Sequence, residues 1–314
     1  MERVKAFAPA TVANMGVGFD VLGMAVEGIG DYVTVEKTDK PGIEMVDIVG
    51  DAGRLSRDPK KNTAMIAAQS VLNMLDIRQG VRLWLEKGLP LASGMGSSAA
   101  SAVAAAVATN TLFGEPLGRE DLLPAVLDAE EIVSGRHADN VAPALLGGIV
   151  LITGLSAAEI HRLPVPAGLH ISLVTPGVEV PTAAARAVLP QLVPLSVMVH
   201  QTGVIAELIH GLHRGDIHLM AMAMQRDAIV EPARESLIPY LAQMRLLATE
   251  CGALVTIISG SGPTVCSICA SHEDAEVVNQ AIREAYHQNG LSSTGYVTVP
   301  SIRGAYIVEP AASA

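Results

Sequence analysis

The sequence predicts an α+β protein of two domains, with mixed or antiparallel sheets and not one doubly wound parallel sheet. Two observations carry this. Strand-like apolar runs arrive in pairs before a helix-like run and do not alternate with helices one for one. Near mid-chain the polar segment Ala157–Gly168, with two prolines, interrupts the pattern where a boundary belongs. The chain has 314 residues, half of them hydrophobic, and a chain of this length buries roughly three quarters of its unfolded surface. Two domains result, residues 1–160 and 161–314, each long enough for a core.

The elements follow in order. Period-two runs mark strands at Val4–Ala8, Asp31–Lys37, Ile43–Val49, Val81–Lys87 and Ile149–Thr153. In the second half they mark Ile171–Thr175, Leu254–Ser259, Thr264–Cys269 and Tyr296–Val308. Helical spacing marks Thr63–Leu75, Ser98–Leu112, Arg119–Val133, Thr182–Leu189, Ser196–Leu212, Asp216–Gln225, Ile238–Cys251 and Glu273–Gln288. Pro310–Ala314 reads as a frayed tail.

Charge narrows the function. Lys and Arg number 21 against 32 Asp and Glu, a formal net charge of -11. Nucleic-acid binding needs clustered cations, and docking to an anionic membrane needs the same, so both are excluded. Phosphate ligands are not, because backbone N–H groups hold them at no cost in net charge. The mean hydropathy of +0.39 raises the question of a membrane span. The uncharged run Gly88–Gly114 breaks into a polar loop and an Ala/Val helix, and the run Asn140–Ala158 is broken by Pro143, Gly147, Gly148 and Gly154. Neither reaches about 20 predominantly apolar residues. No long apolar core follows Glu2, Arg3 and Lys5, so no secretory signal is expected. Three cysteines suit a reducing cytoplasm.

The segment Pro90-Leu-Ala-Ser-Gly-Met-Gly-Ser-Ser-Ala-Ala-Ser101 joins a strand to an Ala/Val helix. Glycines there allow close backbone approach, and Ser97 and Ser98 stand where an N-cap belongs. Free N–H groups and the helix dipole then form a polyphosphate site; without a ligand, the same residues make a capped turn. A Walker A loop is excluded, since no Lys precedes the serines. Gly94-Met-Gly-Ser-Ser-Ala99 also fits a dinucleotide site, which requires a carboxylate about 20 residues on at the end of a strand. Glu115 has that spacing but sits in a loop, which leaves an NAD-dependent oxidoreductase as the weaker alternative.

Pro90-Leu-Ala-Ser-Gly-Met-Gly-Ser-Ser-Ala-Ala100 resembles the phosphate loop of the small-molecule kinases named after galactokinase, homoserine kinase, mevalonate kinase and phosphomevalonate kinase. Pro9–Ala25 is similar to the N-terminal substrate motif of this family, and Ser259-Gly-Ser-Gly-Pro-Thr-Val265 to its glycine-rich C-terminal motif. The segments Ser134–Pro143, Val180–Arg186 and Glu231–Arg234 resemble those of its homoserine-phosphorylating branch. The resemblance implies a two-domain kinase fold with a ferredoxin-like C-terminal domain. It implies ATP-dependent, Mg²⁺-dependent phosphorylation of the side-chain hydroxyl of L-homoserine, toward threonine, by a homodimer.

The implied nucleotide residues are Asn62 and the loop Pro90, Leu91, Ala92, Ser93, Gly94, Met95, Gly96, Ser97, Ser98, Ala99 and Ala100. Mg²⁺ falls to Ser98 and Glu130, Glu130 lying four residues before Ser134 on a helix, and Thr182 to the γ-phosphate region. For the amino acid, Arg186 and Arg234 clamp the α-carboxylate, as the fork of Arg suits. Asp20 pairs with the α-ammonium in a motif that includes Asn14, and His137 and Asn140 hold the hydroxyl end. Asp139 stands beside Asn140, and which of the two faces the hydroxyl stays open. Sibling kinases for mevalonate or shikimate would not need two Arg and an Asp here. A non-catalytic ATP-binding regulator would keep the loop without Glu130 or the substrate motif. Cys266 and Cys269, and the methionines Met220, Met222 and Met224, read as packing, while His210, His213 and His218 read as helix surface.

Overall fold

The computed structural model describes residues 2–133 and 135–308. The expected tail Pro310–Ala314, and Ser134 at the head of the Ser134–Pro143 segment, lie outside the described residues.

β1 (Arg3–Ala13), β2 (Leu22–Thr38), β3 (Ile43–Val49), α1 (Thr63–Met74), β4 (Gly80–Glu86) and α2 (Ser97–Leu112) open the chain. A 3₁₀ turn at Glu120–Leu122 leads into α3 (Leu123–Glu131), followed by α4 (Val141–Leu146), β5 (Ile149–Ile152) and β6 (Ile160–Leu163). Among the described residues these strands form one sheet in the order β11-β1-β2-β4-β3, with β5 joining β2 and β6 joining β5. Its last member, β11 (Tyr306–Ile307), comes from the far end of the chain. Every pairing is antiparallel except β3 with β4. This mixed sheet is not the parallel one that a dinucleotide fold needs.

The second half holds β7 (His170–Pro176), α5 (Thr182–Ala187), α6 (Leu195–Arg214), α7 (Ile217–Met224), α8 (Val230–Arg234) and α9 (Leu241–Glu250). Then come β8 (Val255–Ile258), β9 (Val265–Cys269), α10 (His272–Gln288) and β10 (Ser293–Thr298). The strand order is β10-β7-β9-β8, antiparallel throughout. With helices between the first and second and between the third and fourth strands, this is the ferredoxin-like arrangement.

Side-chain alternation explains how the sheets share the interior. Ile171, Leu173, Val255, Ile257, Cys266 and Ile268 face the large core that also contains the first sheet and α2. Their neighbours Val174, Ile258, Val265 and Cys269 face a second core under α9 and α10. β7, β8 and β9 of the second sheet are thus buried on both sides. Burial pushes the Cys266 thiol up, and the Cys269 thiol up to about 12, so both behave as packing groups. Met220 and Met224 are buried, while Met222 projects outward.

Sequence expectation and structure differ at definable places. The segment read as a linker contains β6, which pairs with β5. α4 and α8 are additional short helices, each with an internal proline. The single expected strand Tyr296–Val308 is two strands in different sheets, β10 and β11. β2 begins nine residues earlier than the expected Asp31, its glycines having hidden the pattern. At Gly23 a Cβ would stand 2.0 Å from the Asp139 carbonyl oxygen, so glycine there serves close packing and not a turn.

α2 is buried along most of its length. It packs on β1, β2, α1, α3 and α4, and its buried residues are largely alanine and valine. Small side chains let six elements, β11 among them, approach one helix. Ala104 is fully buried there, and Ala104→Leu is expected to destabilise the fold by about 1–3 kcal/mol through overpacking, read from urea unfolding.

Candidate active site

Loops from both halves of the chain enclose a cleft of about 470 Å³. One wall is the loop between β4 and α2. Ser93 Oγ donates to the Pro90 carbonyl at 2.9 Å and closes its turn. Gly96, in the left-handed region at φ 67, is the N-cap of α2 and makes no side-chain cap. A Cβ there would fall 2.0 Å from Thr11 Oγ1. Ser97 and Ser98 are therefore not the cap that the sequence suggested: the left-handed turn puts both inside the first helical turn. Ser97 Oγ is buried without a partner among the described residues. Ser98 Oγ donates to Glu130 Oε2 at 3.4 Å, with Glu130 itself buried.

The loop between β8 and β9 braces this wall. Ser259 Oγ donates to the Gly94 carbonyl at 2.8 Å, and Thr264 Oγ1 to the Ser93 carbonyl at 2.7 Å. The Gly260 carbonyl accepts from Asn14 Nδ2 (3.1 Å) and Arg234 Nη1 (2.7 Å). The three sequence motifs, distant along the chain, thus meet through hydrogen bonds that are mainly to backbone carbonyls.

Beneath the loop lies an ion pair between Lys87 and Asp31, with side chains 1% and 0% exposed. Lys87 Nζ also donates to the Ser97 carbonyl (2.8 Å) and Ser101 Oγ (2.9 Å). Asp31 accepts from the N–H groups of Gly88 (3.0 Å) and Leu89 (3.3 Å) and from Ser101 Oγ (2.7 Å). One buried pair therefore holds both ends of the phosphate loop. Burial pulls the Lys87 ammonium down in pKa, and Asp31 works against that.

The opposite wall carries charges of both signs. Asp20, at φ 58, has its N–H on Asn14 Oδ1 at 3.2 Å. Its carboxylate takes Arg186 through two hydrogen bonds of 2.8 and 3.0 Å, and His137 Nδ1 lies 3.4 Å away. Partial burial lowers the His137 pKa against the pull of Asp20, and Arg186 adds to the lowering, so the ring is neutral at neutral pH. Arg234 is almost wholly buried, with Nε donating to the Ala185 carbonyl at 3.0 Å. Thr11 Oγ1 donates to Asn140 Oδ1 at 2.7 Å, and Asn140 Nδ2 lies 3.5 Å from Asp139 Oδ1. Burial, with Asp20 and Glu130 nearby, raises the Asp139 carboxyl to about 7.

Of the residues expected from sequence, Asn14, Asp20, Asn62, Leu91, Ala92, Ser93, Gly94, Gly96, Ser97, Ser98, Glu130, Asn140, Thr182, Arg186 and Arg234 line the cleft. Asn62 also caps α1, its Oδ1 accepting from the Ala64 and Met65 N–H groups. His137 is not on the wall and reaches it through Asp20. Pro90 contributes a carbonyl to the turn, Met95 is buried with its sulfur 3.6 Å from Thr175 Oγ1, and Ala99 and Ala100 are buried in α2. Sequence reasoning missed Phe19, Lys87 and Arg54, which also line the cleft. A lysine ending an apolar strand immediately before the glycine-rich segment was the available signal for Lys87.

A loop of open helical N–H groups facing a wall of paired charges, on two α+β halves, defines a class: small-molecule phosphotransferases. Models of the GHMP kinase N-terminal and C-terminal domains match residues 62–148 and 208–288. A homoserine kinase of Chlorobium phaeobacteroides is 40% identical over 98% of this chain and 100% of its own. That of Arabidopsis thaliana is 44% identical over 91% of this chain and 79% of its own. A crystal structure of homoserine kinase from Cytophaga hutchinsonii superposes with a TM-score of 0.94 at 42% identity, covering 98% of each chain. The chain belongs to the GHMP kinase family, on its homoserine kinase branch.

Removing one partner of the Lys87–Asp31 pair strands a buried charge. Lys87→Met is expected to cost about 3–5 kcal/mol in urea unfolding. Adding Asp31→Asn should recover part of that loss, whereas two independent surface charges would give additive losses.

Proposed function

We propose that this protein transfers the γ-phosphoryl group of ATP to the side-chain hydroxyl of L-homoserine, giving O-phospho-L-homoserine. One observation carries the proposal: the open N-terminus of α2 and a cluster of Asp20, Arg186 and Arg234 face a single cleft. The first suits a polyphosphate, and the second suits a small zwitterion. Asp20 and Arg186 already neutralise each other, so an ammonium against Asp20 and a carboxylate against Arg186 and Arg234 would enter without leaving either side unpaired.

The oxygen donors Ser98 and Glu130 fit a magnesium ion. Among the described residues no group of three or more His, Cys, Asp or Glu could hold a metal, so such an ion would take its other ligands from phosphate and water. When bound, it would neutralise phosphate charge during transfer. Ser97, with its partnerless hydroxyl, and the loop N–H groups would hold phosphate oxygens. Asn62 would lie toward the base and Thr182, at the start of α5, toward the γ-phosphate. Asn140 is fixed by Thr11 and would orient the hydroxyl. Asp139, whose carboxyl is raised to about 7 by burial beside Asp20 and Glu130, would be the candidate to receive that hydroxyl's proton. Among the described residues no helix is long and apolar enough to cross a membrane. A cytoplasmic site of action belongs to the same proposal.

Mg²⁺-dependent ADP release, with L-homoserine, mevalonate and shikimate offered separately, tests the reading. Turnover on L-homoserine alone is the expected outcome; ATP binding without turnover would point to a regulator, and turnover on another acceptor to a sibling kinase. Arg234→Ala is expected to raise KM for L-homoserine at least about tenfold while KM for ATP stays near wild type. Equal effects on both would remove Arg234 from the clamp.

The Asp139 carboxyl also makes a pH-dependent contribution to stability. Its pKa rises from 3.8 to about 7 on folding, so the folded state binds the extra proton. The stabilising term is full below about pH 4 and is lost as pH climbs through about 7. Asp139→Asn should therefore gain on the wild type in melting temperature steadily between those limits, and a constant gap would contradict the shift.

A further inference from the structure

We propose that Phe19 is a positioning residue for the substrate clamp: the face of its ring holds Arg186 and Arg234 together while leaving their N–H groups available for the α-carboxylate. The proposal deepens the reading above and rests on it. The chain is poor in aromatics, with three Phe in 314 residues, yet one of the three is on the cleft wall. Its ring centroid lies 5.2 Å from the guanidinium carbon of Arg186 and 5.2 Å from that of Arg234. Phe19 immediately precedes Asp20, whose left-handed backbone is fixed by Asn14, so the two neighbours reach the same cleft.

Two guanidinium groups against one ring carry like charges in a poorly solvated place. The charge of Arg186 is, after burial, a cause of the lowered pKa of Arg234. Asp20, Glu231 and Asp139 favour the Arg234 charge through space, and the ring adds a direct contact to what they supply. Asp20 takes Arg186 alone, and Arg234 rests on the backbone carbonyls of Ala185 and Gly260. A second carboxylate between them would solve the repulsion but would occupy the donors that a substrate carboxylate needs. An aromatic face attracts a cation through its quadrupole without accepting its in-plane N–H groups. Arg186 Nε is indeed buried without a partner among the described residues. The ring therefore gives the clamp its affinity for carboxylate, and with it a preference for amino-acid acceptors over plain amino alcohols.

Steady-state kinetics of the full chain with ATP and Mg²⁺ test this against two acceptors. One is L-homoserine; the other is aminopropanol, which keeps the ammonium and hydroxyl but lacks the carboxylate. Phe19→Leu is expected to raise KM for L-homoserine about tenfold, equivalent to about 1.4 kcal/mol, with KM for ATP and kcat near wild type. Phe19→Tyr should restore the wild-type KM, and kcat/KM for aminopropanol should be the same in all three proteins. Nucleotide affinity checks that each variant is folded, and Phe19→Met replaces Phe19→Leu if it is not. An unchanged KM for L-homoserine in the folded variant overturns the proposal, as does an equal loss with aminopropanol. A wild-type chain that turns over neither acceptor overturns the functional reading and this inference with it.

Discussion

The site depends on one buried ion pair. Lys87 and Asp31 are removed from water almost completely, which is costly for both, and each recovers the loss through hydrogen bonds as well as through mutual attraction. Their remaining valences go to the two ends of the phosphate loop, so its entry and exit are fixed against the same point. An apolar pair could fill the space, but it could not hold the Gly88 and Leu89 N–H groups and the Ser97 carbonyl in register. The loop keeps its shape because its anchors are polar and buried.

From that anchor the site separates two electrostatic tasks. The nucleotide wall meets phosphate with backbone N–H groups and hydroxyls, so a protein of net charge -11 can hold a polyanion without a surface of lysines. The acceptor wall does the reverse and presents full charges, of which Asp20 and Arg186 already pair. A zwitterion would meet this set with its ammonium against Asp20 and its carboxylate against the two arginines. Asp139 lies between the walls, and its raised pKa reflects both: it is buried, and it stands near the carboxylates of Asp20 and Glu130.

Much of this was legible in the residues. β3 matched its expected bounds, and α1 and α2 fell within one residue of theirs, because each is one contiguous apolar-rich run. Glycine hid most of β2, and proline hid α4 and α8, since local propensity there is overruled by packing. The phosphate loop and its partner motifs could be found because each is contiguous in sequence. What could not be found were pairings across long separations. Asp31 and Lys87 stand 56 residues apart, and the strand-end position that marks Lys87 does not name the carboxylate it pairs with. Phe19 sat within a motif already singled out, but its contact with two arginines from the other half exists only in the fold.

The second sheet gives one face to the core of the first, and β11 returns the chain to the first sheet after the second is complete. Two halves that share one interior, with the last strand of the chain returned to the first sheet, have more apolar surface to separate on opening than two domains joined by a single linker. Arg54, on the cleft wall, also pairs with Glu179 of the second half, so a surface segment from each half meets at the rim of the cleft.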